Sequence, residues 1–213
     1  MAAKTLATYI TECRRLLHDA NGNFYTDAEL TDYINIGRDQ TVQDTGCLRT
    51  IQTLPTVASQ ETYAFASLPQ AALTFDVLNI NLYWGNTRVP LLYMAWSDFN
   101  ARLRYMQNYT GAPRVFSIYG QNTIYLGPVP DQVYTKELDT IMLPTPMVAS
   151  ADADTILNPY DAPPAFYACY VAKFREQAYG EAEIFKQQYF QQARNVVATV
   201  FTRRLPTPYA QPY

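Results

Sequence analysis

Apolar residues recur with a helical period at the start of the chain. They form one stripe with spacings of three or four positions, made of Leu6, Ile10, Cys13 and Leu17. This stripe predicts a helix over residues 4–18, and the Asn-Gly-Asn run at 21–23 ends it. Thr26 and Glu29 have the spacing of a capping box, which begins a second helix. Residues 1–45 are therefore predicted to form a helical hairpin.

From residue 46 to residue 143 the hydrophobic period changes to two, which is typical of β-strands. The longest alternation predicts a strand over 76–84 whose apolar face carries Leu78, Ile80, Leu82 and Trp84, with Val77, Asn79, Asn81 and Tyr83 on the other face. Gly85 and Asn86 then have the order of a two-residue type II′ hairpin turn. A return strand is predicted over Arg88 to Met94, and further strands at 48–54, 62–65, 115–119, 123–126 and 138–143.

Two segments within and after the predicted strands have a different pattern. Ser97 is a candidate cap for a helix over about 97–107, and this helix would place Phe99, Leu103 and Met106 on its inner face. Residues 144–164 contain five prolines and little apolar periodicity, so they are predicted to form a long ordered or semi-ordered loop. Loops of this length are usually functional or disordered.

Helical patterning returns over residues 165–205 and predicts two helices separated by Gly180. The first is expected to present Phe166, Tyr170 and Phe174, and the second Phe185, Tyr189, Val196 and Val200. Residues 206–213 are rich in proline and tyrosine and are predicted to form an extended tail. The predicted fold is α+β, with an antiparallel α-helical bundle of N- and C-terminal helices, an inserted antiparallel β domain and an extended C-terminal tail.

Composition narrows the classes of function. The 213 residues suffice for a substantial core, and the net charge of −3 argues against a protein whose task is to neutralise nucleic-acid phosphates. With no long apolar run and no signal peptide, we expect synthesis in a cytoplasm and no membrane partner. Cys13, Cys47 and Cys169 are expected to be reduced. The 18 tyrosines suit surfaces that are wet in one state and dry in another.

Patterns for catalysis or metal binding are nearly missing from the sequence. Glycine-rich phosphate-binding loops are absent, and His18, the single histidine, lies where an imidazole interacts favourably with the end of a helix. Carboxylate pairs such as Glu137 and Asp139 are expected to be solvated surface charge. Asp152 and Asp154 resemble the start of a calcium loop, but the required glycine and glutamate are missing. We therefore predict no catalytic residue, no metal site and no cofactor.

Short patterns along the chain share the residue order of one protein family. Residues 24–35 combine an aromatic residue, Thr-Asp, Glu-Leu and an aromatic-Ile-Asn run, and residues 16–22 precede them with Leu-Leu-His-Asp and Asn-Gly. Gly-Ala-Pro-Arg at 111–114 and Ile-Tyr-Leu-Gly-Pro-Val-Pro at 124–130 add a third segment. In these segments the chain resembles the head-to-tail adaptor proteins of tailed bacteriophages, which include the tail tubular A-type and gatekeeper-type adaptors.

This resemblance implies a structural protein of the virion neck, assembled in the cytoplasm of the bacterial host. Such adaptors form a homo-oligomeric ring, commonly of twelve copies, beneath the capsid portal protein. The ring extends the DNA channel and attaches the tail nozzle, tail or fibre proteins. Phage double-stranded DNA passes through it transiently, without sequence-specific binding. Head-to-tail contacts around a ring require two complementary faces on each copy, which the Gln- and Tyr-rich helices could supply.

Carried onto this chain, the resemblance implies two contact regions. The implied portal contacts lie on the last helix and the tail: Arg194, Arg203, Arg204, Leu205, Pro206, Pro208, Tyr209 and Tyr213. The implied tail contacts lie on the hairpin and the long loop: Gly85, Asn86, Asp152, Asp154 and Tyr160.

Other functions stay open on the sequence. One is a neck or tail completion protein that never touches the portal. Another is a cell-wall-degrading enzyme carried in the virion, and a third is a glycan-binding β module that uses exposed tyrosines.

Overall fold

The computed structural model describes residues 3–102, 109–120 and 122–202, with side chains described up to residue 200. The fold is α+β, with helices toward both ends of the chain and mainly antiparallel sheets between them. Two compact units divide the chain. The first combines the residues up to Leu48 with those from Leu143 onward, and the second is Arg49–Met142.

The described residues form five α-helices: α1 (Leu6–Leu16), α2 (Asp27–Thr45), α3 (Trp96–Arg102), α4 (Pro163–Arg175) and α5 (Tyr179–Thr202). The predicted capping box is confirmed at the start of α2. The Glu29 amide donates to the Thr26 hydroxyl, and the Thr26 amide donates to the Glu29 carboxylate. Two backbone amides that the helix leaves unpaired are thereby satisfied.

The core of the first unit lies between α1, α2 and α4. Tyr9, Leu30 and Ile34 are among its fully buried side chains. The helices α2 and α4 approach so closely that a Cβ atom on Gly37 would lie 2.6 Å from the Pro164 carbonyl oxygen. Glycine is therefore required at this crossing, because no other residue lets the two backbones come so near.

The buried face of α4 differs from the predicted one. Its core positions are mostly small residues, including Ala165, Ala168, Cys169 and Ala172. The aromatic residues expected to face the core, Phe166, Tyr170 and Phe174, lie beside this face, and Phe174 is 52 % exposed. Hydrophobicity alone favours the large side chains, whereas the close packing of α2 against α4 requires small ones.

The break between α4 and α5 lies at Gln177 and not at Gly180, where it was predicted. Gln177 has a φ of 64°, in the left-handed region, and its amide and that of the next residue bond back to the last turn of α4. This arrangement satisfies carbonyl groups at the end of the helix. His18 ends α1 in the same way, with a φ of 57°. Gly180 lies in the first turn of α5.

The predicted helix in the middle of the chain starts one residue early. It is α3, which begins at Trp96, so Ser97 lies within the helix and does not cap it. Phe99 is buried, as predicted. Several predicted features lie outside the described residues: Leu103 and Met106, the helix end at Leu205, and the tail at 206–213.

The described residues of the second unit form ten strands: β1 (Arg49–Pro55), β2 (Thr62–Ala64), β3 (Thr74–Trp84), β4 (Thr87–Pro90), β5 (Leu92–Tyr93), β6 (Thr110–Gly111), β7 (Val115–Tyr119), β8 (Thr123–Gly127), β9 (Val129–Pro130) and β10 (Thr135–Met142). The sheets have the orders β1-β10-β3-β4, β2-β8-β7-β5 and β6-β9. Each predicted strand has a counterpart, but the return strand predicted over Arg88 to Met94 is divided into β4 and β5, which belong to different sheets. The predicted antiparallel pairing is confirmed for the longer strands. The two-residue pairings of β5 with β7 and of β6 with β9 are parallel.

A β-bulge changes the phase of alternation in β3. Asp139 pairs with Asn79 and the next residue, Thr140, pairs with Val77, so Leu78 has no partner on β10. At this point β3 contains one residue more than β10. Val77, predicted on the polar face, is consequently buried, while Leu78 is only partly buried. Beyond the bulge the prediction holds for Ile80 and Leu82, which are fully buried. It fails for Asn81, which is buried, and for Trp84, which is exposed.

Candidate interaction surfaces

The long loop that precedes α4 packs against the helices of the first unit. Met147 and Ile156 in this loop are buried. The Asn35 side chain on α2 holds the loop backbone, since its Nδ2 donates to the Met147 carbonyl at 2.9 Å and its Oδ1 accepts from the Met147 amide at 3.0 Å. The start of α1 holds it as well, because the Leu6 amide donates to the Asp152 carbonyl at 3.0 Å.

A buried ion pair forms the main anchor of this loop. Arg38 on α2 donates from Nε and Nη2 to one Asp154 carboxylate oxygen, at 3.0 and 2.7 Å, and both side chains are buried. The other Asp154 oxygen accepts from the Tyr9 hydroxyl at 2.7 Å. Burial and the adjacent carboxylate raise the pKa of the Tyr9 phenol far above its usual value. The phenol therefore stays protonated and keeps donating to Asp154.

The two aspartates that resemble a calcium loop have different structural roles. Asp152 accepts from the Val148 and Ala149 amides at 2.7 and 2.8 Å, and these hydrogen bonds lower its pKa. It therefore closes a tight turn, whereas Asp154 is buried. Tyr160 lies on the same loop and is partly buried. Among the residues that the structure describes, no group of acids, cysteines or histidine is arranged to hold a metal ion.

The predicted hairpin turn belongs to the second unit and is exposed. Gly85 has a φ of 56° and lies with Asn86 between Trp84 and Thr87, which pair across the ends of β3 and β4. The predicted two-residue turn is thus confirmed, with glycine where a positive φ is required.

An aromatic cleft lies beside this turn. It has a volume of about 610 Å³ and is lined by Tyr83, Trp84, Gly85, Ala112, Gln132, Val133, Tyr134 and Thr135. The Trp84 ring, predicted to face the core, is instead 40 % exposed and stacks on Tyr134 at a centroid distance of 6.4 Å. Partly exposed aromatic side chains around a cleft are typical of binding surfaces.

Of the residues that the resemblance implies for portal contact, the structure describes one. Arg194 is exposed on α5. The others, Arg203, Arg204, Leu205, Pro206, Pro208, Tyr209 and Tyr213, lie outside the described residues. Two exposed apolar side chains on the same helix, Ile184 and Phe190, were not predicted from the sequence. Their spacing from the predicted core positions places them on the outer side of α5, which is the signal that would have identified them.

Glu137 was predicted to be a solvated surface charge, and this prediction is wrong. It is largely buried, accepts a hydrogen bond from the Tyr83 hydroxyl at 2.6 Å and forms an ion pair with Arg88. Asp139 pairs with Arg49 at 3.3 Å. Both acids are thus held by residues on other strands of the same sheet. His18 is exposed at the end of α1. The contacts of Glu137 and Asp139 thus stabilise the sheet.

Lys136 is a feature that sequence patterns did not reveal. Its side chain is fully buried in the second unit, and its Nζ has no hydrogen-bond partner among the described residues. The amine lies 2.9 Å from the centroid of the Tyr63 ring. Burial lowers the pKa of Lys136 to about 7. The alternating pattern of β10 has no feature that distinguishes this lysine from an exposed one.

The chain matches the model of a known protein family. The family model described as SU10 adaptor protein matches residues 4–211, which is nearly the whole chain. No curated protein matches the chain significantly. Within the described residues, none of the helices has the length and apolar character needed to cross a membrane.

Proposed function

This chain belongs to the SU10 adaptor protein family of phage head-to-tail adaptors, and from that premise we propose that it is a non-enzymatic structural component of the virion neck. The family match over residues 4–211 is the observation that carries the proposal. The protein assembles in the cytoplasm of the bacterial host and connects the capsid portal to the tail.

The proposed assembly is a ring of twelve copies beneath the portal, which extends the DNA channel. A net charge of −3 suits such a channel, because double-stranded DNA must pass without tight phosphate contacts. The DNA therefore passes through the channel transiently, and the protein does not bind it sequence-specifically.

Portal attachment is assigned to the C-terminal region. Arg194 lies on the exposed side of α5, and residues 203–213 continue the chain with two arginines, three prolines and two tyrosines. Prolines restrict the free chain, so that less entropy is lost when such a segment binds, and tyrosines are frequent interface anchors.

Tail attachment is assigned to the hairpin and the long loop. Gly85 and Asn86 are exposed beside the aromatic cleft, which offers apolar contact area and hydrogen-bonding groups to the nozzle, tail or fibre protein. On the loop, Asp152 and Tyr160 supply the contacts. Asp154 is buried, and its part is to fix the loop conformation through Arg38.

A deletion tests the portal assignment. Removing residues 205–213 is expected to abolish binding to the portal protein of the same phage, measured by co-sedimentation. The control is Asn86→Ala, which changes the proposed tail side and should bind the portal like the full chain. Equal binding by the deletion variant would show that the portal contact lies elsewhere, and no binding by any form would favour a neck or tail completion protein.

A further inference from the structure

A groove on the first unit has an apolar floor. It has a volume of about 540 Å³, and its lining includes Leu6, Asp27, Ala28, Asp32, Met147 and Val148. These residues come from α1, α2 and the anchored loop. Val148 at its edge is 81 % exposed, so the groove presents apolar area that the rest of the described unit leaves uncovered.

The charged residues of this groove are all acidic. Asp27 and Asp32 are exposed on the first turns of α2, and the lining contains no lysine or arginine. Asp27 pairs with Arg14 at 2.6 Å, while Asp32 has no ion-pair partner within the part of the chain that the structure describes. A fitting occupant therefore carries an apolar side chain flanked by positive charge.

A stripe along one flank of α5 has that combination of residues. Lys186 in this stripe is partly buried, with its amine 5.9 Å from the centroid of the Tyr170 ring. Lys186, Phe190 and Arg194 are spaced by four positions, so they lie on one face of the helix over about 12 Å. Phe190 is 46 % exposed, and Arg194 is exposed and free of ion pairs within the described residues. From residue 185 to residue 202 the sequence contains these two basic residues and no acid.

We propose that Phe190 of one copy inserts into the groove of a second copy, with Lys186 and Arg194 of the first copy facing Asp27 and Asp32 of the second. This inference rests on the proposed ring and identifies the surface that builds it. It assigns Arg194 to the neighbouring copy and leaves portal attachment to residues 203–213.

The contact joins two different surfaces. No residue of α5 lines the groove, so each copy keeps one free groove and one free Phe190 after a first contact. Such a heterologous contact propagates from copy to copy and forms a ring when the rotation closes. Because oppositely charged groups flank the apolar centre, added salt should weaken the association.

Two variants that each disable one surface test this proposal. Phe190→Asp disables the inserted side chain and leaves the groove intact. Ala28→Arg with Asp32→Lys disables the groove and leaves α5 intact. Phe174→Asp is the matched control, because Phe174 is a comparably exposed aromatic residue on α4, outside the stripe formed by Lys186, Phe190 and Arg194 on α5. Circular dichroism checks that every variant is folded.

Association is measured by sedimentation velocity of each protein, alone and with the portal. We expect each disabled variant to self-associate at least about tenfold more weakly than the wild type, and the control to match the wild type. A 1:1 mixture of the two disabled variants should form a dimer and nothing larger, since only one functional groove and one functional Phe190 remain.

The possible failures have different meanings. Variants that assemble like the wild type, or a mixture that stays monomeric, overturn this interface while the proposed ring stands. A wild type that forms no oligomer, even with the portal, overturns the ring and this interface together. Portal binding by the monomeric Phe190→Asp variant would show that attachment and ring formation use separate surfaces, as proposed here.

Discussion

Replacing Lys136 with methionine should stabilise the second unit. The lysine lies in β10 between Leu54 on β1 and Leu82 on β3, is fully buried and has no hydrogen-bond partner among the described residues. Burying an amine without such a partner favours its neutral form, and the pKa of Lys136 falls from 10.5 to about 7. Methionine has a similar shape and no charge to bury.

The magnitude follows from this pKa difference. At pH 7 the protonation equilibrium costs the folded state roughly 4 kcal/mol relative to the unfolded state, at about 1.4 kcal/mol per pKa unit. The contact of the amine with the Tyr63 ring offsets about 1–2 kcal/mol of that cost. We therefore expect Lys136→Met to raise the free energy of unfolding by about 2–3 kcal/mol at pH 7.

The pH dependence gives a sharper test than the stability change alone. Between pH 7 and pH 10.5 the unfolded chain holds a proton on Lys136 that the folded chain has released. The free energy of unfolding of the wild type therefore rises relative to that of the variant as the pH increases through this range. From pH 7 to pH 9 the advantage of Lys136→Met should shrink by about 2 kcal/mol.

Urea unfolding followed by tryptophan fluorescence measures this effect. The two tryptophans, Trp84 and Trp96, both lie in the second unit, so their signal reports its unfolding. Lys186→Met, which removes a lysine from the first unit, should leave this transition unchanged and serves as the control. A Lys136→Met variant that is less stable than the wild type, or whose advantage is equal at pH 7 and pH 9, would refute the reasoning.

Three further substitutions have predicted effects on stability. Asp154→Ala should lower the free energy of unfolding by about 3–5 kcal/mol in chemical denaturation, because it leaves Arg38 buried without a counter-charge. Gly37→Ala should cost about 1–3 kcal/mol in the same assay, because its Cβ would lie 2.6 Å from the Pro164 carbonyl oxygen. His18→Gly should raise the melting temperature, with a gain of about 1 kcal/mol, since glycine adopts the positive φ of this position without strain.

Each of these predictions has a control or a contradicting result. The double change Arg38→Met with Asp154→Leu removes both charges and should recover part of the stability lost in Asp154→Ala. Gly180→Ala has open space around its Cβ position and should not destabilise α5. A neutral Gly37→Ala would mean that α2 and α4 separate easily, and a destabilising His18→Gly would mean that the imidazole contributes more than its backbone strain costs.

Local patterns in the sequence were sufficient for most elements of the fold. The capping box at Thr26 and Glu29 depends on residues three positions apart, and the turn at Gly85 and Asn86 depends on adjacent ones. Such features are determined by short-range chemistry, so they can be predicted without knowing the packing. The strands of the second unit were predicted for the same reason.

The features that the sequence did not reveal depend on packing between distant segments. The buried face of α4 is set by the approach of α2 at Gly37, and the phase change in β3 is set by its pairing with β10. Asp154 was predicted as an exposed contact residue. Its burial could not be predicted, because it depends on the pairing with Arg38, which is 116 positions away. Likewise, the alternating pattern of a strand does not show whether a lysine such as Lys136 lies on the buried or on the exposed face of the sheet.

The mass of the full chain, measured by native mass spectrometry alone and with the portal protein of the same phage, tests the adaptor account most directly. The account predicts that the portal acquires a closed ring of copies of this chain, twelve in the proposed assembly. A chain that neither binds the portal nor assembles on it would contradict the account.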